Sequence, residues 1–202
     1  SVGLSRDPQA LVRISRATGL NVVMGAGNYV HMTHAPEVAD LTVEQLAGQI
    51  IHDLDQGVGD TGIRSGIIGE VGCSWPWHDS EKKSLEAAVI AQRETGAPLL
   101  IHPGRNESAP IELLNAVEKW GGNLNRTVMG HIERTVYDRG ILNELIAMGS
   151  YLNFDLFGHE SSFYPLAPES HIPADHERIE MIEHIVAEGR TDPTDDDGEL
   201  DR

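Results

Sequence analysis

Apolar residues in this chain come in short runs separated by amphipathic stretches of helical period. Five runs read as strands, near residues 20–26, 66–71, 97–102, 126–131 and 150–155. None alternates strictly with period two, the pattern expected of parallel strands covered on both faces. Between them lie helices with legible boundaries. Asp7 and Pro8 open one whose Leu11, Ile14 and Ala17 share a face, and Thr18-Gly19 closes it. Thr42 and Gln45 match a capping box before a stripe of Leu46, Ile50, Ile51 and Leu54. A third helix, Asp79 to Thr95, turns Leu85, Ala88 and Val89 inward; a fourth starts near Ser108 and carries Leu113, Leu114 and Val117. The stretch Asp138–Met148 repeats the pattern with Ile141, Leu142, Leu145 and Ile146. A last helix over Asp175–Glu188 has Ile179, Ile182, Ile185 and Val186 on its apolar side.

Strand and helix alternating in this way predict a parallel α/β fold, with a TIM-type (β/α)8 barrel as the leading class and an open doubly wound sheet as its competitor. No GxGxxG stands between a strand and a helix: GAG at 25–27 runs on into NYVHMTH, which argues against dinucleotide binding. The 202 residues predict one domain, yet a complete eight-unit barrel needs about 250. The expected division is a partial barrel over residues 1–189 and an acidic tail over 190–202. Six of the ten residues from Asp192 to Asp201 are acidic and no apolar run follows Gly189, so this segment has too little to bury to form another strand.

A formal charge of -17 opposes nucleic-acid and anionic-membrane partners and suits a soluble protein, whose expected partner is a small-molecule substrate. No apolar run approaches the roughly 20 residues that span a bilayer, and SVGLSRDPQ carries no leader pattern, so a cytoplasmic location is the expectation. Cys73 is the single cysteine, which excludes an intrachain disulfide framework and reads as a buried thiol or part of the pocket wall. A homodimer is compatible with everything above.

The chemistry lies at the ends of the runs. GIIGE closes on Glu70, APLLIH on His102 and RTVMGH on His131, at intervals of 32 and 29 residues, each about one strand, one helix and their loops. A fourth run, YLNFD, reaches Asp155 after a further 24. Barrel enzymes present their site at the carboxyl ends of the strands, and one carboxylate with two imidazoles is a donor set for Zn²⁺ or a similar ion. Glu70, His102 and His131 are therefore the predicted metal ligands. Asp155 is expected near the mouth as a pocket group, or else capping local backbone. In the intervening loops, Arg105 and Asn106 are candidates for an anionic or carbonyl group, with a surface ion pair as the alternative for Arg105. Tyr29, Trp75 and Trp77 are candidates for an apolar wall, or for filling gaps between helices. His31 and His34 have no carboxylate close in sequence and read as loop residues, and His159, His171, His176 and His184 are weaker candidates.

GIIGEVGCSWP at 66–76, LIHPGRNESAP at 100–110, VMGHIERT at 128–135 and YLNFDLFG at 151–158 together resemble the phosphotriesterase family of the amidohydrolase superfamily, in its phosphotriesterase-related branch. The resemblance runs from near the amino terminus to about Gly189. It implies a (β/α)8 barrel with two divalent metals, usually zinc, bridged by a carboxylate and a hydroxide. Glu70 would be the bridging carboxylate, where phosphotriesterases proper use a carbamylated lysine, and His102 and His131 would hold the more exposed metal. The family also takes a His-x-His pair from its first strand and an aspartate from its eighth. Neither is found here, and SVGLSRDP resembles the stretch after the family's second strand. Five of eight strands and half of the metal site are thus expected, with residues 1–202 alone poorly folded or inactive.

The expected activity is hydrolysis of a carboxylic ester, lactone, amide or phosphotriester by a metal-activated hydroxide. Resemblance to the related branch moves the expectation from organophosphate triesters toward esters, lactones and amides, among them acylated amino or sulfonic acids, with Arg105 as the anion anchor. The alternative is a catalytically inactive barrel fragment serving as a binding or structural module.

Overall fold

In the computed structural model, which describes residues 2–159, 168 and 171–188, the apolar runs pair into one parallel sheet. The strands are β1 (Gly25–Ala26), β2 (Ile67–Gly72), β3 (Leu99–His102), β4 (Thr127–Met129) and β5 (Tyr151–Leu152), in the spatial order of the chain. That order separates the two candidate architectures. Parallel crossovers are right-handed, so strands laid down in strict succession receive every connecting helix on the same face. A doubly wound sheet instead reverses its order and carries helices on both. The observed arrangement is the arc of a (β/α) barrel.

The connecting helices are α1 (Pro8–Thr18), α2 (Val43–Asp55), α3 (Asp79–Thr95), α4 (Ala109–Lys119), α5 (Arg139–Met148) and α6 (Asp175–Ala187). Their caps follow the sequence. Asp7 accepts from the Ala10 N–H, Thr42 and Gln45 form the reciprocal capping box, and Asp138 accepts from the Ile141 N–H. Gly96 and Gly149 end α3 and α5 in the left-handed region. The core lies between sheet and helices: Ala26, Ile68, Leu99, Ile101 and Met129 meet Leu46 of α2, Leu85 and Val89 of α3, Leu114 and Val117 of α4, and Leu142 and Leu145 of α5. Cys73 is free and fully buried. No described helix is long and apolar enough to cross a membrane.

Some expected elements are shorter or face differently. The run at 20–26 pairs only at Gly25–Ala26, and Leu20, Val22 and Val23 are exposed. Propensity alone does not make a strand; ladder partners do, and among the described residues these have none. In α1 the expected apolar face is not covered: Pro8 is its one buried residue and Ile14 is exposed. In α6, Ile179 and Val186 are exposed, while Arg178 is fully buried and Met181 and Ile185 pack on the core. The buried stripe of α6 is thus displaced from the predicted one, because Arg178 has the buried carboxylate of Glu133 opposite it and, among the described residues, the exposed isoleucine and valine meet no apolar surface. The acidic segment at 190–202 lies outside the described residues.

Close backbone approach shapes β2. A Cβ on Gly25 would lie 1.7 Å from the Gly69 carbonyl oxygen, and one on Gly72 would lie 2.3 Å from the Val30 nitrogen. Against β3, β2 passes from the pair Ile68–Leu99 to the pair Val71–Ile101, one residue longer on its own side. This bulge spans Gly69 and Glu70, where bulges typically re-aim a side chain.

Candidate metal centre

Each predicted ligand reaches the carboxyl end of the sheet by a different local device. Glu70 sits in the bulge of β2, and His102 is the last residue of β3. His131 lies two residues beyond β4, in the left-handed conformation (φ 56°, ψ 40°), at the start of a 3₁₀ turn over Ile132–Arg134. The expected strand to residue 131 therefore stops at Met129, and the turn brings the imidazole back over the sheet end.

Glu70, His102 and His131 present donor atoms within 4.8 Å of one another, and they are the one such group of three among the described residues. Glu70 Oε2 is 3.4 Å from His102 Nδ1 and Glu70 Oε1 is 3.3 Å from His131 Nε2. Ligands of a tetrahedral zinc at about 2.0–2.1 Å would stand about 3.3 Å apart, so the spacing and the O/N donor set fit a divalent ion. The two rings meet edge to face, with centroids 4.6 Å apart. Burial raises the Glu70 pKa, but hydrogen bonds from His102 and His131 outweigh it and hold the carboxyl well below the usual range. Burial pushes His102 down, aided by the nearby charges of His131 and Arg134. Burial also opposes protonation of His131, yet its bonds to Asp155 and Glu70 prevail and raise it to about 9.

Asp155 follows β5 in a loop, and its Oδ1 lies 2.8 Å from His131 Nδ1. It stands behind the imidazole that faces the site, as a partner that fixes which ring nitrogen is presented. The Tyr29 hydroxyl borders the His102 ring, 3.1 Å from Nε2 and 3.2 Å from Nδ1. Trp75 is partly exposed in the loop after β2 and packs on Gly104, where an added Cβ would lie 2.6 Å from Trp75. Trp77 turns away from this mouth to pack against the core, its ring centroid 6.2 Å from that of Trp120. Arg105 is exposed in the loop after β3. Asn106 braces that same loop, its Oδ1 accepting from the Ser108 N–H.

Three further residues organise the site without having been singled out by spacing. Arg134 is buried, donates to the Pro103 carbonyl and places Nη2 3.4 Å from His102 Nε2. Glu133, fully buried, accepts from the Asp155 and Leu156 N–H groups. Glu81 on α3 is also fully buried and gathers the loops after β1 and β2: it accepts from the N–H groups of His31, Ser74 and His78 and from the Ser74 hydroxyl, and pairs with His31 Nδ1 at 3.1 Å. His31 is thus tied down by a carboxylate 50 residues away in sequence. Glu133 and Arg134 lie within the VMGHIERT motif, and that adjacency to His131 was the available signal.

The chain is 46% identical over 190 residues to a phosphotriesterase-related protein of Nematostella vectensis, covering 94% of this chain and 54% of that protein. It is 41% identical over 192 residues to the human N-acetyltaurine hydrolase, covering 95% of this chain and 55% of that one. Among solved structures, a resiniferatoxin-binding protein from Rhodobacter sphaeroides superposes with a TM-score of 0.87 at 34% identity, over 93% of this chain and 52% of that one. The phosphotriesterase homology protein of Escherichia coli, complexed with phosphate in its active site, gives 0.78 at 27% identity, over 91% and 60%. The chain thus spans about half the length of the curated relatives it matches. The family model described as Phosphotriesterase family matches residues 1–194, and with the parallel arc and its carboxylate–imidazole cluster this places the chain in the phosphotriesterase family.

Proposed function

We propose that this chain carries half of the active site of a divalent-metal-dependent hydrolase, with zinc as the metal and residues 1–189 as one barrel unit. The convergence of Glu70, His102 and His131 on one point is the observation that carries this reading. In it His102 would offer Nδ1 and His131 Nε2 to one ion, with Glu70 as the third ligand and, as the family resemblance implies, the link to a second. A bound ion supplies Lewis-acid chemistry, polarising the electrophile and making water easier to deprotonate. Asp155 holds the His131 ring so that Nε2 stays turned inward. Tyr29, at the edge of His102, and Trp75 form part of the wall against which the substrate lies. Arg105 and Asn106, in the loop after His102, take the substrate's polar end. Asn106 would offer its side-chain nitrogen for this, its Oδ1 already accepting from the Ser108 N–H.

The substrate class is a small N-acyl amide of an amino or sulfonic acid, with esters and lactones as weaker substrates. Relatives named N-acetyltaurine hydrolase at 41–44% identity support the amide over a phosphotriester. The test is hydrolysis of N-acetyltaurine, N-acetyl amino acids, aryl esters and lactones by residues 1–202 set within a complete barrel, with Zn²⁺, Mn²⁺ or Co²⁺ added and after chelation. Metal-dependent amide cleavage is expected. No turnover of any of these with any of the three metals would overturn the reading.

A further inference from the structure

Glu133 follows His131 by two residues, yet it reaches back into the next loop. Its Oε1 accepts from the Asp155 N–H at 2.8 Å and the Leu156 N–H at 2.7 Å. Across it stands Arg178 of α6, with Nε 3.9 Å from Oε1 and both side chains fully buried. Arg178 also donates to the His159 carbonyl at 3.0 Å and pairs with Asp175, whose two oxygens each accept from the Gly158 N–H at 3.0 Å. The loop from Asp155 to His159 is therefore held at its start by Glu133 and at its end by the first turn of α6.

A fully buried carboxylate opposite a fully buried guanidinium is a costly way to stabilise a loop, and an apolar pair of like size would often serve as well. What an apolar pair cannot do is accept two adjacent backbone N–H groups and so fix the Cα of Asp155. The Asp155 carboxylate is held further by Asn153, whose Nδ2 donates to Oδ2 at 3.1 Å, leaving Oδ1 for His131 Nδ1 at 2.8 Å. We infer that Glu133, held in place by Arg178, is a positioning residue that sets Asp155 against His131 and thereby turns His131 Nε2 into the site. Its metal-binding consequence rests on the function proposed above; the placement of Asp155 does not. Hydrogen-bonded partners behind a ligating imidazole typically change metal affinity by about 10- to 100-fold when removed.

The experiment follows two signals in the purified protein and its Glu133→Ala, Glu133→Gln and Glu133→Asp variants: the exchange-protected Nδ1 proton of His131 by NMR without metal, and Co²⁺ affinity by visible titration. Glu133→Ala should lose the protected proton and bind Co²⁺ about tenfold or more weakly. Glu133→Gln, which keeps an oxygen for both N–H groups, should recover the proton and most of the affinity. If Glu133→Ala does not fold, Glu133→Asp carries the test, because it keeps the charge opposite Arg178 but withdraws the acceptor by one methylene; it too should lose the proton. A folded Glu133→Ala, or failing that a folded Glu133→Asp, that retains the proton overturns the inference, whatever its Co²⁺ affinity. A parent that binds no Co²⁺, yet whose proton vanishes on substitution of Glu133, overturns the metal reading and supports the positioning role.

Discussion

His131 Nε2 and His102 Nδ1 face each other at 2.8 Å. Two ring nitrogens can stand so close only with a proton or another cation between them, since otherwise their lone pairs would repel. With Glu70 alongside, held in its charged form, the cluster is organised around positive charge.

Metal binding should therefore displace a proton. In the metal-free protein His131, raised to about 9, is the imidazolium at neutral pH, while burial keeps His102 neutral. A divalent ion competes with that proton, so its affinity should climb about tenfold per pH unit up to about 9 and level off above. Calorimetry at pH 7 in two buffers of different ionisation enthalpy should give about one proton released per ion. No release would contradict this account of His131.

The same shift has a stability consequence of definite sign. A histidine raised from 6.5 to about 9 contributes stability fully present below pH 6.5 and lost as pH rises through 9. The thermal midpoint of the metal-free protein should fall across that window. Saturating metal should flatten the profile, and a profile equally steep with metal bound would speak against His131 as a ligand.

Asp155→Asn should leave metal content at saturation intact, because Asn retains an oxygen for His131 Nδ1, while turnover drops by about 10- to 100-fold as the charge behind the imidazole is lost. Metal analysis and kinetics on the same preparation decide it. Loss of the metal at saturation would make Asp155 a direct ligand.

Glu81→Ala should destabilise the protein by about 3 kcal/mol, because the N–H groups of His31, Ser74 and His78 would lose their acceptor together. The urea midpoint should fall with little change in slope. An unmoved midpoint would mean that water replaces the carboxylate at no cost.

Gly25→Ala tests the sheet beneath the site. Its Cβ would meet the Gly69 carbonyl oxygen at 1.7 Å, and that contact is backbone on backbone, so no rotamer relieves it. A loss of about 3 kcal/mol or more, or failure to fold, is expected. A variant as stable as the parent would show that β1 and β2 can separate locally.

Helix caps are short-range properties, and those at Asp7 and Thr42 were legible from the residues alone, as were the ends of two strands. Apolar runs closing on Glu70 and His102 appear as β2 and β3, and Asp7 and the Thr42 capping box cap the helices they precede. The phase of the runs also marked the three donors that the sheet brings within 4.8 Å, because parallel strands in chain order align their carboxyl ends. Burial is a different matter, since it depends on what lies opposite. The apolar faces of α1 and α6 were written in their periodicity, yet Ile14 and Ile179 are exposed and Arg178 is buried. Likewise, nothing in local sequence says that Glu81 will reach His31, or that Glu133 will hold the backbone of Asp155. A carboxylate is buried only where several donors meet it, and that meeting is a property of loops brought together by the sheet. The sequence determined which residues arrive at the mouth of the arc; the tertiary contacts alone decided how each ring and carboxylate is turned once there.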